Sequence, residues 1–227
     1  VFLVKFSSDG THLWSKAVTG GTTRGNGVAI DGSGNIFVTG SCNWTVEFGS
    51  GPITTPANAE TFLAKYSPAG LNLWVKHFGG WQSFGYAIAL DHFGHVFLTG
   101  HFDAEMSFGG AILTNAGTMD IFLIKLSAAD GSHVWSTRFG AGAPDYGNRL
   151  AVDNDGNVFL AGSGRFLADF GGTPLPAATP NDAFVAKFST DGTCRWSKIF
   201  GAGGEEGKAV AVNANGHAFV VGRFWGT

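Results

Sequence analysis

The feature that most constrains the fold of this chain is an internal repeat of about 60 residues. The phenylalanines that open its clearest motif, Phe2, Phe62, Phe122 and Phe184, are separated by 60, 60 and 62 residues. The tryptophans Trp14, Trp74, Trp135 and Trp196 follow nearly the same spacing. Self-similarity at a fixed period is typical of repeat architectures. Four copies in such close register therefore predict four copies of one structural unit.

Each copy is predicted to contain four short strands. In the first copy the strands are residues 2–6, 12–18, 27–30 and 35–40, which are rich in aromatic and β-branched residues. Turns rich in Gly, Ser and Asp separate them, and no stretch has the periodicity and caps of a helix. An all-β chain of four-stranded units predicts a β-propeller. A solenoid is the alternative, but the coils of parallel β-helices are much shorter.

Composition excludes several other classes of protein. Hydrophobic residues make up 44% of the 227 residues, which is too many for a disordered chain. A formal charge of −3 provides no basic surface for nucleic acid, so no nucleic-acid partner is expected. No window approaches the ~18 apolar residues of a membrane helix, so no membrane insertion is expected. The chain begins at Val1 without a leader, so we expect any export signal to lie outside it.

Several motifs of the repeat resemble a known family. Residues 27–31 (Gly-Val-Ala-Ile-Asp), 34–40 (Gly-Asn-Ile-Phe-Val-Thr-Gly), 2–6 (Phe-Leu-Val-Lys-Phe) and 13–16 (Leu-Trp-Ser-Lys) resemble the bacterial SBBP β-propeller repeat, which is similar to NHL-type propellers. The resemblance extends over nearly the whole chain. It implies a propeller fold but supplies no catalytic residues.

Three inserts with a Phe-Gly motif add an expectation about location. They lie at residues 48–49, 108–110 and 170–172 and resemble versions of the repeat found in secreted or surface proteins of soil bacteria. The resemblance therefore implies an extracellular or cell-surface protein. It indicates no oligomeric state.

The resemblance also predicts where the blades begin and end. Whole blades are expected at residues 24–79, 85–140 and 147–201. Residues 1–19 supply the third and fourth strands, and residues 207–227 the first two strands, of one further blade. If these ends pair, the chain closes as a four-bladed ring without exposed edges. The alternative is an excerpt of a longer array, with open ends.

Candidate binding residues lie where the copies differ, in the connections between blades and just inside them. In propellers these connections form the face on which ligands usually bind. There Trp81 and Phe84, beside amides and carboxylates, would stack a sugar ring or anchor a protein partner. The alternative is that both aromatic rings pack on the adjacent blade. The candidates are Arg24, Asn26, Trp81, Gln82, Phe84, Tyr86, Asp145, Tyr146, Asn148, Glu205, Glu206 and Lys208.

Three functions are compatible with these residues. The first is a secreted or cell-surface binding or scaffold propeller that recognises a glycan or a protein and needs no cofactor. The second is a lyase or hydrolase that uses Asp145, Glu205, Glu206 and Arg149 at the channel mouth. The third is a structural segment of a larger surface protein.

No metal site is predicted. The seven histidines do not converge, and His95 and His217 occupy a turn position. Residues 153–157 faintly resemble a calcium loop, but they lack the distal carboxylate and are better explained as a hairpin turn. Cys42 and Cys194 are not in equivalent positions, which favours two free thiols, with one disulfide bridge as the rarer alternative.

A repeated lysine is predicted to have a structural role. Lys5, Lys65, Lys125 and Lys187 recur at one strand position between apolar neighbours. Such lysines usually lay their aliphatic stems on aromatic surface and keep their charged heads in water. We therefore expect no chemistry from them.

Overall fold

The computed structural model describes residues 1–56, 58–79, 81–165, 170–171, 181–201 and 203–224. Within these ranges the protein is all-β, with strands β1 to β17 and no helix. None of the described segments is a helix long and apolar enough to span a membrane. The all-β prediction is therefore confirmed.

The strands form three four-stranded antiparallel blades between two hairpins. Blade 1 contains β3 (Thr19–Ile30), β4 (Ile36–Glu47), β6 (Glu60–Tyr66) and β7 (Asn72–Phe78), with β5 (Pro52–Thr54) added to β4. Blade 2 contains β8 (Ser83–Leu90), β9 (His95–Phe102), β10 (Asp120–Ser127) and β11 (His133–Phe139). Blade 3 contains β12 (Asp145–Val152), β13 (Val158–Gly164), β14 (Asp182–Phe188) and β15 (Cys194–Phe200). The N-terminal hairpin is β1 (Phe2–Phe6) with β2 (His12–Ala17), and the C-terminal hairpin is β16 (Glu206–Val212) with β17 (Ala218–Arg223).

The middle strands of each blade are buried on both faces. In β6, β10 and β14 nearly every residue is buried, because a neighbouring blade or hairpin covers each side of the sheet. This explains their almost continuous apolar sequences. The phenylalanine of each Phe-Gly insert packs on its own blade, with ring centroids 4.9 Å apart in all three cases. The pairs are Phe48 with Phe62, Phe108 with Phe122 and Phe170 with Phe184, while Gly172 lies outside the described residues.

Neighbouring blades are joined by a tryptophan that binds the outer turn of the next blade. The indole Nε1 of Trp74 donates to the carbonyl of Ala129 at 2.9 Å, and that of Trp135 donates to the carbonyl of Thr190 at 3.0 Å. In each turn a glycine with positive φ lies under the indole, where a Cβ would be about 3.2 Å from the ring. Trp14 makes the same contact with the turn of blade 1, donating to Pro68 at 3.2 Å. We call this contact the tryptophan clasp.

The repeated lysine reinforces the clasp. Lys65 donates to the carbonyl of Ala128 at 2.7 Å, and Lys125 donates to that of Thr190 at 3.1 Å. Both ammonium groups lie over a phenylalanine ring of their own blade, at 5.0 and 5.2 Å from the centroid. The charged head itself thus lies over the aromatic ring, and the prediction that the heads stay in water is wrong for these two. The next blade covers them, and its carbonyl oxygen replaces water.

The short turns have the simple structural roles predicted for them. Asp153 Oδ1 accepts hydrogen bonds from the backbone N–H groups of Asp155 and Asn157, so this segment is a hairpin turn. In blade 2 the His95 ring binds the Asp91 carboxylate at the corresponding turn. No disulfide joins the two cysteines, and burial raises the pKa of Cys42 to about 12, which keeps its thiol unreactive.

The predicted shared blade is not formed. β1 pairs only with β2, and β17 pairs only with β16, so the two hairpins remain separate two-stranded sheets. The N-terminal hairpin packs on blade 1, while β16 packs on β12, β13 and β14. The successive blade contacts therefore lead away from β1 without bringing β17 back to it. The expected pairing of residues 1–6 with 217–222 is wrong for this structure, which has open ends.

The open ends expose side chains that are buried elsewhere in the array. Phe219 of β17 is 62% exposed, whereas its counterparts Phe37, Phe97 and Phe159 are 0% exposed. At the other end Val28 of β3 is 60% exposed, whereas its counterpart Ile88 is buried. Each end therefore presents one half of the apolar contact that joins neighbouring blades.

We expect Trp74→Ala to lower the free energy of unfolding by roughly 2–3 kcal/mol, because it removes apolar contact and a hydrogen bond between blades 1 and 2. Trp196→Ala is the matched control. Trp196 packs on Phe159 at 6.0 Å, much as Trp74 packs on Phe37 at 5.9 Å, but its Nε1 has no acceptor among the described residues. Trp196→Ala should lower the free energy of unfolding by less than about 1 kcal/mol, as measured by urea unfolding. Equal losses would show that the clasp contributes nothing.

Candidate functional site

The first strand of each of the three blades, and β16 of the C-terminal hairpin, have a β-bulge at the same place. The register between first and second strands shifts at Gly25/Gly27, Gly85/Ala87, Gly147/Arg149 and Gly207/Ala209. A bulge leaves one residue without a partner and redirects its side chain. The four bulge residues are Asn26, Tyr86, Asn148 and Lys208.

A glycine on the second strand makes room for each bulge. Opposite the bulge of blade 3, a Cβ on Gly162 would overlap the carbonyl oxygen of Tyr146. Gly100 has the same relation to the carbonyl of Phe84. Only a residue without a side chain allows the two strands to approach so closely. The repeated second-strand glycine is therefore a requirement of the bulge.

The four bulge residues line one cavity of about 560 Å³, which we call the central pocket. It lies among the first strands β3, β8, β12 and β16. Tyrosine rings, amides and two cations form its walls. Its lining residues are Asn26, Tyr86, Tyr146, Asn148, Arg149, Ser163, Asn181, Glu206 and Lys208.

The structure brings half of the sequence-predicted binding residues together in this pocket. Asn26, Tyr86, Tyr146, Asn148, Glu206 and Lys208 line it. All six lie on strands, including Tyr146 and Glu206, which were expected in the connections between blades. The strands begin earlier than predicted because pairing continues past the bulge. Ser163 and Asn181 were missed, although Ser163 directly follows the glycine opposite a bulge and this position was a usable signal.

The predicted aromatic pair does not contribute to the pocket. Trp81 is 65% exposed, and Phe84 packs on the His101 ring with centroids 5.1 Å apart. His101 belongs to the same blade as Phe84, so the ring packs on its own blade, whereas the alternative expected the adjacent one. Gln82 uses its backbone N–H to bind Asp103, and Arg24 is an exposed residue of β3. None of these four side chains lines the central pocket.

Two of the predicted acids fasten the connections between blades. Asp145 is fully buried, and its carboxylate accepts hydrogen bonds from the backbone N–H groups of Ala141 and Arg165, both at 3.0 Å. Burial raises the pKa of Asp145 to about 7. Glu205 is also buried and accepts a hydrogen bond from the N–H of Gly203. The acid pair that the enzyme alternative requires is therefore not assembled in the pocket.

The asparagines of the pocket connect neighbouring blades through one half of their amide. Asn26 Nδ2 donates to the carbonyl of Gly85 at 2.8 Å, and Asn148 Nδ2 donates to that of Gly207 at 2.9 Å. Between blades 2 and 3 the bulge residue is Tyr86, which cannot form this bridge. There Arg149 of blade 3 reaches back, with Nη1 3.5 Å from the Tyr86 carbonyl and 2.7 Å from that of Asn148.

The described lining residues of the pocket carry two positive charges and one negative charge. Glu206 forms an ion pair with Lys208, with 2.5 Å between Oε2 and Nζ. Arg149 has no carboxylate within 4.0 Å among the described residues. Nor do those residues contain a group of three or more His, Cys, Asp or Glu side chains placed to hold a metal ion.

Comparison with known proteins relates two segments of the chain to a known repeat. The family described as SBBP, Beta-propeller repeat, matches residues 17–43 and 134–166. These two segments are similar to SBBP β-propeller repeats. Each matched segment contains a bulge residue of the central pocket, Asn26 in the first and Asn148 in the second. Two of the four bulge residues of the pocket thus lie in segments that are similar to the SBBP repeat.

The chain is also similar to a viral protein of much greater length. It is 26% identical over 198 residues, covering 72% of this chain, to the uncharacterized WD repeat-containing protein L264 of Acanthamoeba polyphaga mimivirus. The chain spans 14% of the length of that relative.

Two solved structures resemble this chain weakly. An ACO/RPE65 chimera and a mutant of the Synechocystis apocarotenoid oxygenase have TM-scores of 0.42 and 0.41, each at 10% identity. Each comparison covers 86% of this chain, and 43% and 44% of the respective structure. Neither the fold nor the pocket described above depends on these resemblances.

A buried histidine behind the pocket holds its aromatic wall. The His101 ring packs on Phe84, Tyr86 and Tyr146, with centroids 5.1, 5.1 and 5.2 Å away. Burial lowers the pKa of His101 to about 4, so the imidazole is neutral at physiological pH. Blades 1 and 3 carry Ser41 and Ser163 at this position. The histidine thus adapts the repeat to support two tyrosine rings.

We expect His101 to make the propeller less stable in acid. In the unfolded chain the imidazole binds a proton near its usual pKa of 6.5, whereas in the folded protein it binds one only near 4. The stability that His101 contributes is therefore fully present above pH 6.5 and is lost as the pH falls. At pH 5 the free energy of unfolding should be lower by roughly 2 kcal/mol on this account.

His101→Ser should remove this part of the pH dependence in urea unfolding between pH 8 and pH 5. His92 is exposed, so His92→Gln is the control and should leave the change of unfolding free energy with pH as it is in the parent protein. If His101→Ser also left that pH dependence unaltered, the neutral, buried state of His101 would be contradicted.

Proposed function

We propose that this chain is a binding propeller whose central pocket holds one sugar residue of a glycan. The observation that carries the proposal is the pairing of two half-buried tyrosine rings, Tyr86 and Tyr146, with the amides of Asn26 and Asn148 around one cavity. The volume of about 560 Å³ lies within the range of small-molecule sites. A sugar has both the apolar ring face and the hydroxyl groups that this combination matches.

The asparagines are suited to binding hydroxyl groups. Their Nδ2 atoms are already used between blades, which fixes the orientation of each amide. Their Oδ1 atoms make no hydrogen bond to the described residues and are left as acceptors. A sugar hydroxyl can donate to such an oxygen while the ring face packs on a tyrosine. Because these side chains lie on bulged strands rather than on loops, the site is largely preformed.

A glycan fits the pocket better than a protein partner does. A protein interface is usually anchored by a protruding aromatic side chain in a broad patch. Here the tyrosines line a concave site, and the protruding Trp81 lies outside it. We further propose that the propeller acts outside the cell or at its surface, as the resemblance of its inserts implies.

Binding of the purified chain to a glycan array tests the proposal. Tyr86→Ala and Tyr146→Ala should each weaken the binding of the best glycan at least tenfold, about 1.4 kcal/mol, because each removes one stacking surface. Trp81→Ala is the matched aromatic control outside the pocket and should bind like the parent protein.

Circular dichroism melting would show whether each variant remains folded. Tyr86→Phe keeps the ring that packs on His101, so it should stay folded and should still bind the glycan. It therefore separates loss of the stacking ring from misfolding of Tyr86→Ala. Absence of glycan binding, or its loss in Trp81→Ala alone, would overturn the assignment to the pocket. In the second case the exposed surface around Trp81 would be the binding site, for a glycan or a protein.

A scaffold role is the second candidate, and the exposed end faces favour it. Phe219 and Val221 at one end, and Val28 and Ile30 at the other, are all at least 60% exposed. The equivalent residues inside the array form the two sides of the apolar contact between neighbouring blades. We infer that each end packs on a blade of the same kind, supplied by a second copy of the chain in a head-to-tail arrangement.

Sedimentation analysis over a range of protein concentrations tests this second candidate. The chain should associate as its concentration rises, and Phe219→Ser should weaken association at least tenfold. Trp44→Ser removes an aromatic residue of similar exposure, 53%, outside the end faces and should have no effect. A protein that stays monomeric up to high concentration would exclude head-to-tail assembly of this chain.

A further inference from the structure

We infer that the central pocket selects a sugar that carries a carboxylate, a uronic acid residue, and that Arg149 binds this carboxylate. The inference rests on the proposed function, because it names the class of sugar that the same pocket takes. Arg149 has no equivalent elsewhere in the array. The other blades have Gly27, Ala87 and Ala209 at this strand position.

The guanidinium of Arg149 is held in place but not neutralised. Its Nη1 is 2.7 Å from the carbonyl of Asn148 and 3.5 Å from that of Tyr86. Its Nη2 and Nε groups donate to none of the described residues. A guanidinium presents its donors in a planar fork that matches the two oxygens of a carboxylate. Backbone carbonyl groups thus hold Arg149 through Nη1, while Nη2 and Nε remain able to donate two parallel hydrogen bonds to a carboxylate.

The charge balance of the pocket favours one negative charge on the ligand. Lys208 and Glu206 neutralise each other through their ion pair. Arg149 is then the single uncompensated charge among the described lining residues. Asp145 of the same strand does not compensate it, since its carboxylate binds the backbone N–H groups of Ala141 and Arg165. A neutral sugar would leave Arg149 unpaired, whereas a uronate would pair with it.

A carboxylate fits this arrangement better than a phosphate or a sulfate group. A phosphate monoester carries close to two negative charges near neutral pH and is usually bound by more than one cation or by several backbone N–H groups. Among the described lining residues the pocket offers one free cation. A sulfate monoester also carries one charge, but that charge is spread over three oxygens, which makes each a weaker hydrogen-bond acceptor than a carboxylate oxygen. The carboxylate is therefore the better partner for one guanidinium, and a phosphate would carry more charge than one cation compensates.

The position of Arg149 also places the carboxylate relative to the sugar ring. Arg149 contacts the backbone of Tyr86, and both residues line the pocket. A sugar whose ring face lies on a tyrosine can therefore extend its exocyclic carboxylate toward the guanidinium. Ring stacking and charge recognition would then act on the same residue of the glycan.

Calorimetric titration of the whole chain with matched sugars tests the inference. Glucuronate and galacturonate, as methyl glycosides, are compared with the methyl glycosides of glucose and galactose, from which they differ only at C6. We expect the uronates to bind at least tenfold more tightly at low salt. The preference should decrease as sodium chloride is added, because Arg149 is exposed and screened by ions.

Arg149→Met retains most of the aliphatic stem and should reduce uronate binding to that of the neutral sugar. Arg195→Met is the matched control, because it removes an exposed arginine on the outer strand β15. Its affinity for uronate should equal that of the parent protein. A preference for uronate that survives Arg149→Met would overturn the role of Arg149.

The remaining outcomes separate this inference from the proposed function. Equal affinity for uronates and neutral sugars would overturn the carboxylate inference and leave sugar binding intact. Tighter binding of a 6-sulfated or 6-phosphorylated sugar than of the uronate would also overturn it. If no glycan on the array and none of these sugars binds, the proposed function itself fails.

Discussion

The structure depends on one constraint, which is that a four-stranded blade can bury both of its faces only between two neighbouring blades. The middle strands are apolar on both sides for this reason. The tryptophan clasp holds the outer strands of adjacent blades together, while amide and guanidinium bridges join the inner ones. The same requirement explains why Phe219 and Val28, at the two ends of the described array, are exposed while their counterparts inside it are buried.

The inner edge of the array converts this frame into a site. Each bulge needs a glycine opposite it, and each turns one side chain toward the common pocket. The frame tolerates any residue at the bulge, since the extra residue has no strand partner. Blades with identical backbones can thus present Asn26, Tyr86, Asn148 and Lys208. This separation of frame from variable position is how a repeat with uniform packing acquires one asymmetric site.

The sequence predicted the repeat, the all-β class and the four strands of each blade, because these depend on local pattern and turn chemistry. It also indicated half of the pocket residues, since copies that share a frame differ where packing does not constrain them. It failed for Asp145 and Glu205, whose roles depend on backbone groups that fold back onto them. It failed for Phe84 as well, because nothing local shows that the His101 ring packs against it.

The sequence by itself thus determined the blade, because spacing, apolar alternation and turn glycines are local properties of each copy. Only the tertiary structure decided that the ends stay apart, because that depends on the relative placement of whole blades and not on any one motif. It alone also decided which variable residues meet. The bulge redirects Tyr86, the second-strand His101 supports it, and Arg149 joins it from the next blade. Residues about 15 and 60 positions apart become neighbours only when the blades stack.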